Sequence, residues 1–188
     1  MTTPRTTAVT LIIACSGAKA SEPAPARDLY TGAMFRHTLP AALAAAGWCE
    51  DHGIPARVLI LSARHGLIGL DQVTDPYDVK MGDPGSVTPD TLARQARQLG
   101  ITLGHVVCAF LPRPYLARLG EALRSAGVTL RDMYQGTRGI GEQRHVNAQV
   151  TRHPHSCFHG MPPIGPGGGA GTTRSAAGAA SSPAAGAR

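Results

Sequence analysis

The chain has 188 residues, with 18 Lys and Arg against 12 Asp and Glu, a net charge of +6. That length suits one ordinary domain and leaves no room for two comfortable ones. Half of the charge excess lies after residue 150, where Arg152, Arg174 and Arg188 stand without an acid. The body is therefore only mildly basic, a bias toward anionic partners that falls far short of a histone-like charge.

One Trp, four Tyr and three Phe are too few for a groove that stacks a single strand base by base. No apolar run approaches the ~20 residues of a membrane span, so no membrane partner is expected. Four cysteines without a C-x-x-C pair suggest neither a disulfide framework nor a zinc knuckle, and a cytoplasmic location fits. Ile12-Ile13-Ala14-Cys15 has the outline of a lipoprotein cleavage box, but the stretch before it is short and threonine-rich for a signal core.

Residues 8–14, AVTLIIA, read as a strand buried on both faces. CSGAKASEPAPARD follows as a loop, its Gly17 and prolines opposing regular structure. The Ala- and Leu-rich stretch from about Gly32 to His52 predicts a helix, with Pro40 either kinking it or opening its second part. Residues 56–63, ARVLILSA, predict a second buried strand. Residues 88–100 predict a helix with Thr88 as N-cap, Pro89 at its first position and Gly100 as stop. HVVCAFL (105–111) predicts a third strand, 113–127 a helix closed by Gly127, and VTLRDM (128–133) a shorter fourth strand. In YQGTRGIGEQRH (134–145), Gly136, Gly139 and Gly141 alternate with Arg138, Glu142 and Arg144. This is either a basic lip over a site or a helix start with Glu142 in its first turn.

The alternation of strand and helix predicts an α/β fold in three layers, a mostly parallel sheet of about four strands with helices on both faces. The domain is expected to span residues 1–150. Residues 151–188 read as a disordered tail, because from Pro162 onward Ile164 is the one large apolar residue and such a segment cannot bury enough surface to order itself. The roughly 150 residues that remain suffice for a core without staples.

In open parallel sheets, ligands bind beyond the carboxyl ends of the strands. After the first strand, Ser16, Gly17 and Lys19 bring a hydroxyl, a bendable backbone and an ammonium to one loop, without the spacing of a P-loop. After the second, Ser62, Arg64, His65 and Gly66 stand together. His65 is a proton carrier near neutral pH or a structural imidazole. Arg64 is a phosphate anchor or a solvent-facing charge. Tyr77 and Asp78 offer a ring and a carboxylate, or else a turn with Asp78 capping amides. His153, His155 and His159 cluster on paper, but no acid or C-x-x-C accompanies them, and neither a metal nor another cofactor is expected.

Several of these pieces together resemble a known family. Cys15, Ser16 and Lys19 form C-S-x-x-K; Leu29, Tyr30 and Phe35 form L-Y-x-x-x-x-F; Ser62 through Leu67 form S-A-[KR]-[HY]-G-L. Pro76, Tyr77 and Asp78 form P-Y-D, and Gly139, Ile140, Gly141 and Gln143 form G-I-G-x-[QR]. Over about residues 8–150 the chain resembles the small bacterial and phage domains known as the 6884-type domain of unknown function. The resemblance implies an α/β domain with a polar site built from these pieces. More distantly, the first two pieces are similar to a YaaA-like group linked to DNA protection and to domains found near nucleobase-modifying enzymes.

The expectation is thus a domain acting on a nucleotide or nucleic acid, an anionic ligand. One form is an enzyme working at an N-glycosidic bond, a glycosidase-type hydrolase or transferase, with His65 and Asp78 catalytic. Ser16, Lys19, Tyr30, Ser62, Arg64, Gly66 and Tyr77 would bind substrate. The alternative is a module that binds a nucleotide or DNA without turnover.

Overall fold

The computed structural model describes residues 8–160. Its centre is β1 (Ala8–Ala14), flanked on both edges by parallel partners, β3 (Ala56–Ser62) and β6 (His105–Phe110). β7 (Thr129–Asp132) extends the sheet in parallel beyond β6. β4 (Gly66–Gly69) closes the opposite edge, antiparallel to β3, giving the order β4-β3-β1-β6-β7. The sheet therefore has five strands, one more than the sequence suggests. The extra strand is the apolar GLIG, which folds back on β3.

Alternation along β1 explains why both faces need helices. Leu11 and Ile13 enter a core with α2 (Ala33–Asp51), α5 (Ile140–Arg152) and a short 3-10 helix (Pro154–Phe158). Ile12 points the other way, into a core with α3 (Pro89–Gln98) and α4 (Arg113–Leu123). Thr88 caps α3 as its sequence requires, its Oγ1 accepting from the Thr91 N–H at 3.2 Å. Pro40 neither ends nor divides α2, which runs through it with the proline on its exposed side.

Two boundaries differ from the sequence reading. Residues 151–160 belong to the packed body rather than to a tail beginning at 151, because Cys157 and Phe158 are buried against α2 and Phe158 stacks 5.2 Å from Trp48. The loop after β1 also holds more structure than its prolines suggested. β2 (Ala24–Pro25) pairs with β5 (Val73–Thr74), and a single turn, α1 (Ala26–Leu29), follows. Arg27 reinforces that clip with an ion pair to Asp71 at 2.6 Å. The expected tail from residue 161 onward lies outside the described residues. Cleavage before Cys15, as a lipoprotein would require, would remove the central strand of the sheet.

The β3–β4 turn is held by α3. Gln95 donates from Nε2 to the His65 carbonyl at 2.8 Å and accepts from the Leu67 N–H at 2.9 Å. Gly66, at φ +76°, makes this possible: a Cβ there would lie 2.0 Å from Gln95 Oε1. Gly66→Ala meets both backbone strain and a clash, so it is expected to lower the unfolding free energy by about 1–3 kcal/mol. Urea denaturation checks this as a reduced midpoint at unchanged slope.

Candidate functional site

The chain turns back on itself at β1. The α2 connection carries it to β3 on one side, and after the hairpin α3 carries it over the opposite face to β6 on the other side. The strand order thus reverses between β1 and β6: from their carboxyl ends the chain leaves β1 for α2 on one face and β6 for α4 on the other. A cavity of about 450 Å³ opens there. Its floor is Ala14 and Phe110, and its wall is the loop from Cys15 to Ala18. Gly32 to Phe35 line it from the start of α2, Pro112 from the start of α4, and Ile140 and Gln143 from the start of α5.

Among the described residues no side chain caps any of these three helices, so the positive ends of their dipoles lie at this space, although at α4 Pro114 offers no N–H and the Tyr115 N–H bonds the Pro112 carbonyl. Ser16 fixes the approach of α2: its Oγ accepts from the Gly32 N–H at 3.1 Å and donates to the Ala18 carbonyl at 2.6 Å. Gly32 has ordinary backbone angles, but a Cβ on it would lie 2.6 Å from the Ser16 Cβ, so only glycine allows the contact.

Beside the cavity, joined to it through Cys15, is a cluster of hydroxyls. Ser62, the last residue of β3, bonds the Tyr77 hydroxyl at 2.7 Å, and Tyr77 bonds that of Tyr30 at 3.1 Å. The Ser62 Oγ also accepts from the His65 and Arg64 N–H groups, at 3.0 and 3.3 Å, which folds the turn over it. Lys19 Nζ sits 4.1 Å from the centre of the Tyr77 ring, a cation–π contact, and donates to the Gly17 carbonyl at 3.3 Å. Burial pushes the Tyr77 and Tyr30 hydroxyls up, so both stay protonated near neutral pH. Cys15 Sγ lies 3.4 Å from the hydroxyl of Tyr115.

His65 meets the edge of Tyr77, ring centres 5.2 Å apart, and its buried Nε2 has no hydrogen-bond partner among the described residues. Burial and the nearby Arg64 charge lower its pKa, against a smaller upward pull from Asp75, and this keeps it neutral near pH 7. The structure thus gathers Lys19, Tyr30, Ser62, His65 and Tyr77 in one cluster, with Ser16 in the adjoining cavity wall. Arg64 and Asp78 carry exposed side chains, and neither lines the cavity. Gly66 serves the Gln95 contact rather than an opening.

Sequence reasoning missed a second network, at the cavity's far wall. Thr38, Tyr134 and Asn147 are buried and mutually bonded: Tyr134 donates to Asn147 Oδ1 at 3.0 Å, and Asn147 Nδ2 donates to Thr38 Oγ1 at 3.0 Å. Thr38 and Tyr134 face the cavity. The one signal available was a threonine and an asparagine on otherwise inward-facing helix positions. Among the described residues no set of three His, Cys, Asp or Glu side chains is arranged to hold a metal ion. The His153, His155 and His159 rings follow one another at 6.1 and 5.4 Å on the surface. No helix among the described residues is long and apolar enough to cross a membrane.

The fold and site define an open α/β domain with a ligand-sized cavity at its switch point. The chain belongs to a family of unknown function, DUF6884, whose model matches residues 10–149. No curated protein and no solved structure gives a match.

Two predictions follow from the burial of these groups. Burial pushes the Cys49 and Cys157 thiols up to about 12 and Cys108 higher still, whereas Cys15 is half-exposed on the cavity wall. A maleimide is therefore expected to modify only Cys15 in the folded protein, read by peptide mass spectrometry. Comparable labelling of Cys49 would contradict this. For His65, the unfolded pKa is about 6.5 and the folded value lies lower, so the unfolded chain takes up more protons as pH falls. Stability is then complete above that pH and declines below it. His65→Gln should flatten the decline in urea midpoints between about pH 7 and 5. The pKa of His105 is also lowered by burial, and His105 remains in both chains, so the difference reads His65.

Proposed function

We propose that the domain binds a nucleotide in the switch-point cavity, with its phosphate toward the Ser16–Lys19 loop and the first turn of α2. The observation that carries this reading is the convergence of three uncapped helix starts on one cavity at the point where strand order reverses. A volume of about 450 Å³ suits a small organic ligand. The lining suits a base and sugar: Met34, Phe35 and Phe110 give apolar surface, while Thr38, Tyr134 and Gln143 give a few fixed polar groups. Lys19 borders the loop as a counter-charge. A cytoplasmic setting agrees with four cysteines that are all free.

Turnover at an N-glycosidic bond is the second reading, favoured by the unpartnered Nε2 of His65. Held neutral, that nitrogen is better suited to accept a proton than to supply one. Asp78 would be its carboxylate partner, and the test of turnover is whether Asp78→Asn and His65→Ala abolish release of free base.

Binding is tested with a panel of nucleoside mono- and triphosphates at about 1 mM. A bound nucleotide is expected to raise the melting temperature and slow maleimide labelling of Cys15. Lys19→Ala should weaken the affinity by about tenfold, the loss of one charge-assisted contact. Gly32→Ala, which drives a methyl into Ser16, should weaken it further. If no nucleotide alters either the melting temperature or Cys15 labelling, the reading is wrong.

A further inference from the structure

The rim of the cavity carries features that a free mononucleotide does not use. Ile140 lines the mouth and yet is 58% exposed, a large apolar side chain held in solvent at the first position of α5. Four cations, Lys19, Arg113, Arg138 and Arg144, stand within two residues of a lining position, while Arg36, equally near in sequence, lines a separate surface depression with His37 and Arg152. Among the described residues none of them forms an ion pair. Two acids stand equally near, Glu142 accepting from the Arg138 N–H at 2.7 Å and Asp132 from the Tyr134 N–H at 2.9 Å, and they keep their charge, so the cations outnumber them by four to two. The rings of Phe35, Phe110 and Tyr134 are buried in or around the cavity, so no row of exposed rings surrounds its mouth to hold several bases in succession.

Excess positive charge around a mouth that admits one base matches a phosphodiester chain better than a single phosphate. An exposed aliphatic wedge beside a base-sized pocket matches a chain from which one base has been withdrawn. Such wedges occupy the gap left in a stack, and the withdrawn base is held in a pocket and read on its edge. Here Gln143 and the Thr38–Tyr134 pair are the polar groups within reach of that edge.

We propose that the nucleotide taken by the cavity is one residue of a polynucleotide, unstacked from its neighbours, with Ile140 filling the vacated step and Arg138 and Arg144 on the flanking phosphates. The inference rests on the nucleotide reading above and adds the polymer. Its chemistry is a phosphodiester chain with an extrahelical base, supplied by DNA or by RNA.

The test uses the full chain and hairpins carrying one bulged 2-aminopurine, in DNA and in RNA, beside fully paired hairpins and the free mononucleotide. At least one bulged hairpin is expected to bind about tenfold more tightly than its paired control, with a rise in 2-aminopurine fluorescence as the base leaves the stack. Which of the two hairpins responds identifies the source. Arg138→Ala with Arg144→Ala should reduce the slope of log affinity against log salt by about 2, while mononucleotide affinity holds. Ile140→Ser, checked for an unchanged melting temperature, should abolish the fluorescence rise and weaken the bulged hairpin more than the mononucleotide. The proposal is overturned if the mononucleotide binds but neither bulged hairpin exceeds its paired control, or if Ile140→Ser leaves the fluorescence rise intact. If the mononucleotide also fails to bind, the nucleotide reading falls with it.

Discussion

The parallel pairing of β1 on both edges is the constraint on which the rest of the structure depends. A strand with parallel neighbours on each side cannot be joined to either by a hairpin, so each connection must cross a face of the sheet. Right-handed crossovers to opposite sides must use opposite faces, which is why α2 and α3 lie on different layers. At the carboxyl ends of β1 and β6 the chain leaves for α2 on one face and for α4 on the other, and the cavity opens between Ala14 and Phe110. The cavity is thus a product of topology. Its chemistry comes from whatever side chains the loops place there.

Those side chains are held by hydroxyl networks that link distant parts of the chain. Tyr30 and Tyr77 are 47 residues apart and Thr38 and Asn147 are 109 apart, yet each pair shares a buried hydrogen bond. A buried hydroxyl left without a partner costs about 1–3 kcal/mol, so each network admits few arrangements. The β2–β5 clip and the Arg27–Asp71 ion pair bring the segments carrying Tyr30 and Tyr77 to the end of β3, where Ser62 completes the first network. The geometry beside the cavity is thereby set by long-range pairing rather than by local turn preference.

Much of this fold is legible in the text because apolar runs and caps are local signals. AVTLIIA, ARVLILS and HVVCAF are strands as read, and Thr88-Pro89 opens α3 as its types demand. The strand ends also pointed to the region where Ser16, Lys19, Ser62 and His65 gather. The rest depended on partners that lie far away in the sequence. Gly66 looked like a ligand-facing glycine, but its requirement comes from Gln95, 29 residues later. GLIG is too short and too glycine-rich to announce a strand, and it becomes one only against β3. Thr38 and Asn147 are ordinary helix residues until Tyr134 arrives between them. Cys157 and Phe158 sat beside a Gly- and Pro-rich stretch and took on its character, although Trp48 provides their packing surface.

The charge pattern around the cavity supports the proposed binding more than the proposed cleavage. An N-glycosidic bond breaks through a developing cation on the sugar, which needs a carboxylate facing it. Among the described residues none that lines the cavity is acidic, and Asp78, the carboxylate that the sequence offers, carries an exposed side chain. The fields present have the opposite sign: three helix starts, Lys19 against the Tyr77 ring, and rim arginines. Such an environment stabilises an anion in its ground state and opposes the build-up of positive charge beside it. His65 fits the same pattern, because burial and the nearby Arg64 charge keep its imidazole neutral. For the cleavage reading, a carboxylate would have to be brought to the sugar by a moving loop or supplied by another chain.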